Sequence, residues 1–304
     1  MTAILLALAP VVLLALLGAA LRRGQVLSAA FWPQAERLGY YVLLPALFLH
    51  GLTVTDFGQL PVFGFVVTLL LALCSTAALV VALRRRIPTD GPGFTSVFQG
   101  AIRFNNYIGI TLAVGLFGDQ GIAYAGLANA VIVPTVNLLS VLVFARFGGL
   151  RPGLRTTVLA VLRNPLLLAC AGGIALHLSG LGLPPGVGGA LKALGAAALP
   201  LGLLCVGAAL EFRGLRGWGA PILISSLLKF GVLPAATWAA ARLIGLDAEA
   251  TRAVLMFQSL PTASSSYILA RQLGGNAPMM AAIIAAQTVL AALTMPVALA
   301  LAGL

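Results

Sequence analysis

Two polar clusters stand where polar side chains are costly. One reads Arg103-Phe104-Asn105-Asn106-Tyr107-Ile108-Gly109 and the other Pro261-Thr262-Ala263-Ser264-Ser265-Ser266-Tyr267. Each occupies the middle of a long apolar stretch, residues 93–117 and 250–273. Polar groups at the centre of a bilayer are retained where they face a cavity or one another. Proline withdraws a helical hydrogen bond and clashes with the preceding turn, and broken backbone at that depth is tolerated only when buried in protein or lining water. A helix that restarts at mid-depth presents free amides and a partial positive charge. Asparagine and serine add neutral donors, and Arg103 and Lys229 add full charges. With no acidic residue read in the interior of any span, this chemistry fits capture of an anion, most simply a carboxylate.

The elements that must position these residues follow from composition. Of 304 residues, 61% are hydrophobic and 8% charged, against about 25% charged in a soluble domain. A spanning helix needs about 20 apolar residues. Apolar runs at 4–21, 34–54, 61–83, 93–117, 121–144, 158–178, 189–210, 220–243, 250–273 and 277–302 predict ten spans and leave little chain for anything else. The expected class is an all-α integral membrane protein. A net charge of +11 could suit a nucleic-acid binder, but the arginines cluster at helix ends without interleaved aromatics, so no nucleic-acid partner is expected. Cys74, Cys170 and Cys205 lie in apolar runs without paired spacing, and no metal site, disulfide or cofactor is expected. The first run lacks a basic leader and is followed by Arg22-Arg23, which reads as a retained span. An enzyme would need converging acids, a metal cluster or an activated nucleophile, and none is visible.

Orientation comes from the arginines. Odd-numbered connections carry Arg22, Arg23, Arg37, Arg84, Arg85, Arg86, Arg146, Arg151, Arg155, Arg213 and Arg216, whereas even ones carry Asp56, Asp119, Asp247 and Glu249 with Arg242 and Arg252. Positive-inside bias then places both termini on the outer side of a bacterial cytoplasmic membrane. The halves also repeat. Pro45 with Asp56-Phe57 returns as Pro200 with Glu211-Phe212, Phe98-Gln99 as Phe257-Gln258, and Pro134 as Pro296. Five spans per half is odd, so residues 1–147 and 148–304 form inverted repeats, a design of secondary transporters with the site at mid-depth between interrupted helices.

On these residues the chain resembles the auxin efflux carrier family, which includes bacterial malate and malonate permeases. The resemblance runs nearly full length through Leu-Leu-Pro-Ala-Leu at 43–47, Phe104-Asn105-Asn106 with Gly109, Leu-Phe-Gly at 116–118, Asn-Pro-Leu at 164–166, Leu-Pro-Leu at 199–201, Lys229 with Pro234, and Leu-Pro-Thr-Ala at 260–263. It implies ten helices with crossing, broken fourth and ninth helices, a homodimer, and transport of organic anions. Two departures from plant members stand out: no long hydrophilic central loop, and no proline in the first break.

The expected substrate-binding set is Arg103, Asn105, Asn106, Tyr107, Lys229, Pro261, Thr262 and Ser264. Each has a structural alternative. The asparagines can satisfy neighbouring backbone, Pro261 can act only through the break, and Arg103 and Lys229 can be structural cations. At most one or two of Ser264, Ser265 and Ser266 can face one site. Asn129 and Asn137 read as helix–helix hydrogen-bonding residues, and Pro45, Pro134, Pro200 and Pro296 as kinks. A carrier of small carboxylates by alternating access is the first reading. A sodium- or proton-coupled transporter of another solute class on the same fold is the alternative.

Overall fold

The computed structural model describes residues 2–55, 60–118, 120–149, 159, 162–210 and 217–301, and every regular element among them is helical. Asp56, Phe57, Asp119, Arg151, Arg155, Glu211, Phe212, Arg213 and Arg216, which carry part of the repeat and orientation readings, lie outside the described residues, as does most of the start of the expected sixth span.

The chain begins with α1 (Thr2–Arg23), then α2 (Phe31–Leu38), a π-helical turn over Gly39–Leu43 and α3 (Leu44–Val54). It continues through α4 (Val62–Ala82), α5 (Gly91–Ile102), α6 (Asn106–Phe117) and α7 (Gln120–Phe147). The second half holds α8 (Pro165–Ser179), α9 (Val187–Ala208), α10 (Gly219–Leu227), a π-helical turn over Leu228–Val232, α11 (Leu233–Ile244), α12 (Ala248–Gln258), α13 (Ser265–Gln272) and α14 (Ala277–Leu301). Seven helices among the described residues are long and apolar enough to cross a bilayer, with α2–α3 and α10–α11 each counted as one. The stretches expected as the fourth and ninth spans are absent from that set, because each is two short helices, α5 with α6 and α12 with α13.

The starts of several helices are written locally. Asp90 caps α5 through the amide of Gly93 at 2.7 Å, Asp247 caps α12 through Ala250 at 2.8 Å, and Asn276 bonds the amide of Met279 at 3.0 Å. Asn164 caps α8 through Leu166 and Leu167, with Pro165 in the first helical position. Pro45, expected only to kink its helix, and Pro234 do something more specific. Each follows a π-helical turn directly, at the second residue of α3 and of α11. A proline cannot donate to the carbonyl four residues back and its ring crowds it, and one extra residue in the preceding turn relieves both. The π turns place Tyr40 in one helix and Lys229 in the other.

Packing is close where side chains are small. α1 and α9 meet backbone to backbone: a Cβ on Gly18 would fall 2.0 Å from the carbonyl oxygen of Leu204, and one on Gly207 1.7 Å from that of Ala15. Helices without a hydrophobic drive to associate in lipid use such contacts. Leu13, Leu16, Leu178 and Leu293 point outward and are more than 60% exposed, as expected of a surface solvated by acyl chains. The interior holds α5, with residues 93–102 all buried, packed against α7, α10, α13 and α14.

Candidate functional site

α5 stops at Ile102, where the amide of Arg103 still reaches Gln99 O at 2.9 Å. Arg103 and Asn105 are extended, and Asn105 Oδ1 then accepts from the amides of Tyr107 (3.1 Å) and Ile108 (3.3 Å) to start α6. The non-helical residues are 103–105, earlier than the expected 105–107. The difference is the capping bond: once Asn105 satisfies the first free amides, Asn106 and Tyr107 form the first turn. The second interruption is longer. α12 ends at Gln258, residues 259–264 are non-helical, and α13 begins at Ser265. Ser264 makes no capping bond from its side chain. Instead, the amide of Thr262 donates to Gln287 Oε1 on α14 at 3.1 Å.

The two interruptions touch. The rings of Phe104 and Phe257 meet edge to face at 6.4 Å between centroids. Gly109 lies so near that a Cβ there would be 2.7 Å from Leu260 Cδ1. Arg103 reaches across, donating from Nη2 to Ser265 Oγ (3.3 Å) and from Nη1 to Asn137 Oδ1 on α7 (2.9 Å). Gln287 is a second link. Its Nε2 donates to Gly100 O and to Ser225 Oγ, both at 3.0 Å, while its carbonyl accepts from Thr262. One side chain thereby ties α5, α10 and the second interruption to α14.

Residues 151–299 match a family described as membrane transport protein. Over those residues the chain carries the membrane transport domain of the auxin efflux carrier family. No curated protein matches the chain. The part matched to the family holds the second interruption, Ser225, Lys229 and Gln287; Arg103, Asn105, Asn106 and Tyr107 lie in the other half. A multi-pass membrane transporter follows from the family and from the apolar helices together.

The expected residues have distinct surroundings. Arg103 is buried, and its hydrogen-bond partners are neutral. Asn105 is spent largely on capping. The Oδ1 of Asn106 and the hydroxyl of Tyr107 are buried and have no hydrogen-bond partner among the described residues. Tyr107 lies across α9 at Gly202, where a Cβ would fall 2.0 Å from its ring, and its hydroxyl points at Gly39. Pro261 and Thr262 are buried, and Thr262 shares a hydrogen bond with Ser266 at 3.1 Å. Lys229 is 0% exposed and its Nζ has no hydrogen-bond partner among the described residues. It sits four residues after Ser225, in a π turn packed against α5 and α4. Arg103 joins the second interruption by direct bonds; no such bond draws in Lys229.

Three corrections follow. Asn137 makes the expected bond between helices, to Arg103 at the end of α5, whereas Asn129 bonds Ala125 O in its own helix. Gln287 was not anticipated, although a lone amide in an apolar 25-residue helix carries the same mid-span signal as the two clusters. Glu36, near the start of its span, comes to the second interruption, which its position in the sequence does not announce. Its Oε1 accepts a hydrogen bond from Ser264 Oγ, beside the second interruption, and it lies in electrostatic range of the Tyr107 hydroxyl. The three serines also divide their partners: Ser264 to Glu36, Ser265 to Arg103, Ser266 to Thr262.

A cavity of about 650 Å³ opens elsewhere, lined by Leu47, His50, Gly51, Gln120, Lys192 and neighbours from α3, α7 and α9. No residue of either interruption lines it, so volume does not select the site. Chemistry does.

Proposed function

We propose that the protein carries small organic anions, mono- or dicarboxylates, across a bacterial cytoplasmic membrane by alternating access around the two interruptions. The observation that carries this reading is Arg103: a guanidinium buried at the junction of two broken helices, with a serine and an asparagine as its hydrogen-bond partners among the described residues. A buried cation calls for a counter-charge, and guanidinium donors match a carboxylate in two-point geometry. Asn106 and Tyr107 hold unpartnered polar atoms in the next turn, and the start of α13 adds its partial positive charge. Lys229, one turn beyond Ser225 and without a hydrogen-bond partner among the described residues, is a second cation for a dicarboxylate or for the path towards the site.

The supporting architecture is ten crossings in two inverted halves, residues 1–147 and 148–304, with α5–α6 and α12–α13 as the crossing fourth and ninth helices, both termini outside, and a homodimer. In this scheme the interrupted helices move against a scaffold of the first, second, sixth and seventh spans. The alternative, a sodium- or proton-coupled transporter of another solute class, draws support from Glu36 beside the second interruption.

Purified protein in proteoliposomes, offered labelled mono- and dicarboxylates, tests the reading. Uptake or exchange of at least one of them is expected, with Arg103→Gln lowering the rate at sub-saturating substrate by about 30-fold or more, the loss of one charge-assisted contact. Uptake of no carboxylate, or uptake untouched by Arg103→Gln with folding intact, sinks it.

A further inference from the structure

We propose that one anionic phospholipid docks between α4 and α7, its acyl chain in the groove those helices leave and its phosphate held by Arg84 and Arg146.

The groove is about 500 Å³ in volume and its lining is apolar throughout. Cys74, Ala78 and Ala82 of α4 form one wall, Leu139 and Leu142 of α7 the other, and the buried ring of Phe98 on α5 lies beneath. Leu142 is half exposed, so the groove opens outward from the bundle. In a bilayer such a depression is filled by an acyl chain or by another helix.

The end of the groove is charged. α4 runs directly into Arg84-Arg85-Arg86, and α7 closes with Arg146 and Phe147. Two rings join the groove to these arginines. Phe98 lies 6.4 Å from Phe94 between centroids, and Phe94 meets Phe147 edge to face at 5.0 Å. The Arg84 guanidinium sits over Phe94 at 5.0 Å and 5.9 Å from the Phe147 ring, while that of Arg146 sits 5.3 Å from the same Phe147 ring. Two like charges gathered on one ring repel, and an anion shared between them removes that cost. A guanidinium stacked on a ring keeps its N–H edge free for the two-point grip that phosphate oxygens accept. Arg85 and Arg86 are exposed alongside. Asp90, four residues after Arg86, commits its carboxylate to the Gly93 amide as the cap of α5.

Groove and arginines together select the occupant. A free phosphate would satisfy the arginines and leave the groove unfilled. A zwitterionic lipid would fill the groove but bring a cation to the arginines. A second copy meeting this face about a two-fold axis would set arginines against arginines. An anionic lipid meets both demands. In the orientation argued from charge, these arginines lie at the cytoplasmic leaflet, where basic clusters attract anionic headgroups. The lipid would bear on α5, the helix that stops at the first interruption.

The full chain in detergent, titrated with dioleoyl phosphatidylglycerol or dioleoyl phosphatidylcholine and read by native mass spectrometry, tests the site. Wild type should retain phosphatidylglycerol in preference to phosphatidylcholine. Arg84→Gln and Arg146→Gln should each lower that preference by about fivefold, whereas Arg37→Gln, the same loss of charge on α2, should leave it unchanged. Ala78→Leu fills the groove and should lower retention of both lipids. Arg146 and Ala78 are exposed, so their variants decide the matter even if Arg84→Gln, which also loses a bond to Ile87 O, folds poorly. Equal retention of the two lipids, an equal loss in Arg37→Gln, or a lipid-free dimer cross-linked through Cys74 overturns the site. The measurement involves no transport, so failure of the anion-carrier reading leaves this inference standing, and its own failure leaves that reading untouched.

Discussion

The two interruptions do the same job by different means. The first spans three residues, contains no proline, and is closed by its own asparagine: Asn105 bonds the amides two and three residues on. The second spans six residues, contains Pro261, lacks a side-chain cap at Ser264, and has its central amide satisfied by Gln287, 25 residues away on another helix. One break is specified within its own segment and the other by tertiary contact. A locally capped helix start is stiff, whereas a segment held from outside can be released when the holder moves. The contrast suggests that the second interruption is the more mobile of the pair during transport, with Arg103 and Gln287 as its two tethers.

Removing the distant tether should have the largest effect. Gln287→Leu leaves the Thr262 amide, Gly100 carbonyl and Ser225 hydroxyl without their partner. Each buried polar group left unsatisfied costs about 1–3 kcal/mol, so a loss of about 3 kcal/mol is expected, read as a fall in the apparent melting temperature in detergent. A shift no larger than that of an exposed lipid-facing substitution would dissolve the distinction between local and distant specification. Cutting the local device should cost less. Asn105→Ala removes an N-cap, about 1 kcal/mol, while Asn105→Ser retains a capping oxygen and should restore most of it. Serine restoring stability but not uptake would show that Asn105 also meets the substrate; serine restoring both would leave it a cap alone.

What was legible in the sequence divides along the same line. The apolar stretches gave the helices, and the polar runs at their centres marked both interruptions, because burying such groups has the same cost wherever they end up. Local devices are readable in principle: the type and position of Asn105 suit a substrate ligand, but its spacing to the amides of Tyr107 and Ile108 makes it a cap. The π turns ahead of Pro45 and Pro234 were missed, since a proline within a span announces a disturbance without saying how the chain absorbs it. The partners set by packing were not readable at all. Glu36 is only the sixth residue of α2 and looked peripheral; it reaches the second interruption because Ser264 is delivered to it from the other half of the chain. Gln287 and Asn137 became tethers for the same reason.

The smallest effect on stability is expected at the residue that looks most responsible for the second break. Pro261 has no amide hydrogen, and replacing it with alanine supplies one donor that must find an acceptor or water. The surrounding chain does not depend on the proline alone, because Thr262 stays pinned to Gln287 and Ser265 to Arg103. Pro261→Ala should therefore cost less than about 1 kcal/mol, while uptake slows as the freed segment samples straighter, helical conformations that misplace the start of α13. The tether makes a sharper prediction through a double variant. With Gln287→Leu already in place, nothing holds the Thr262 amide, and Pro261→Ala would let that amide find a helical partner instead. The two substitutions should then be non-additive, with the double variant more stable than the sum of the single losses by about 1 kcal/mol, the size expected for neighbours sharing one network. Simple additivity would mean that the proline and the glutamine act on separate structures, and that the second interruption is specified locally after all, as the first one is.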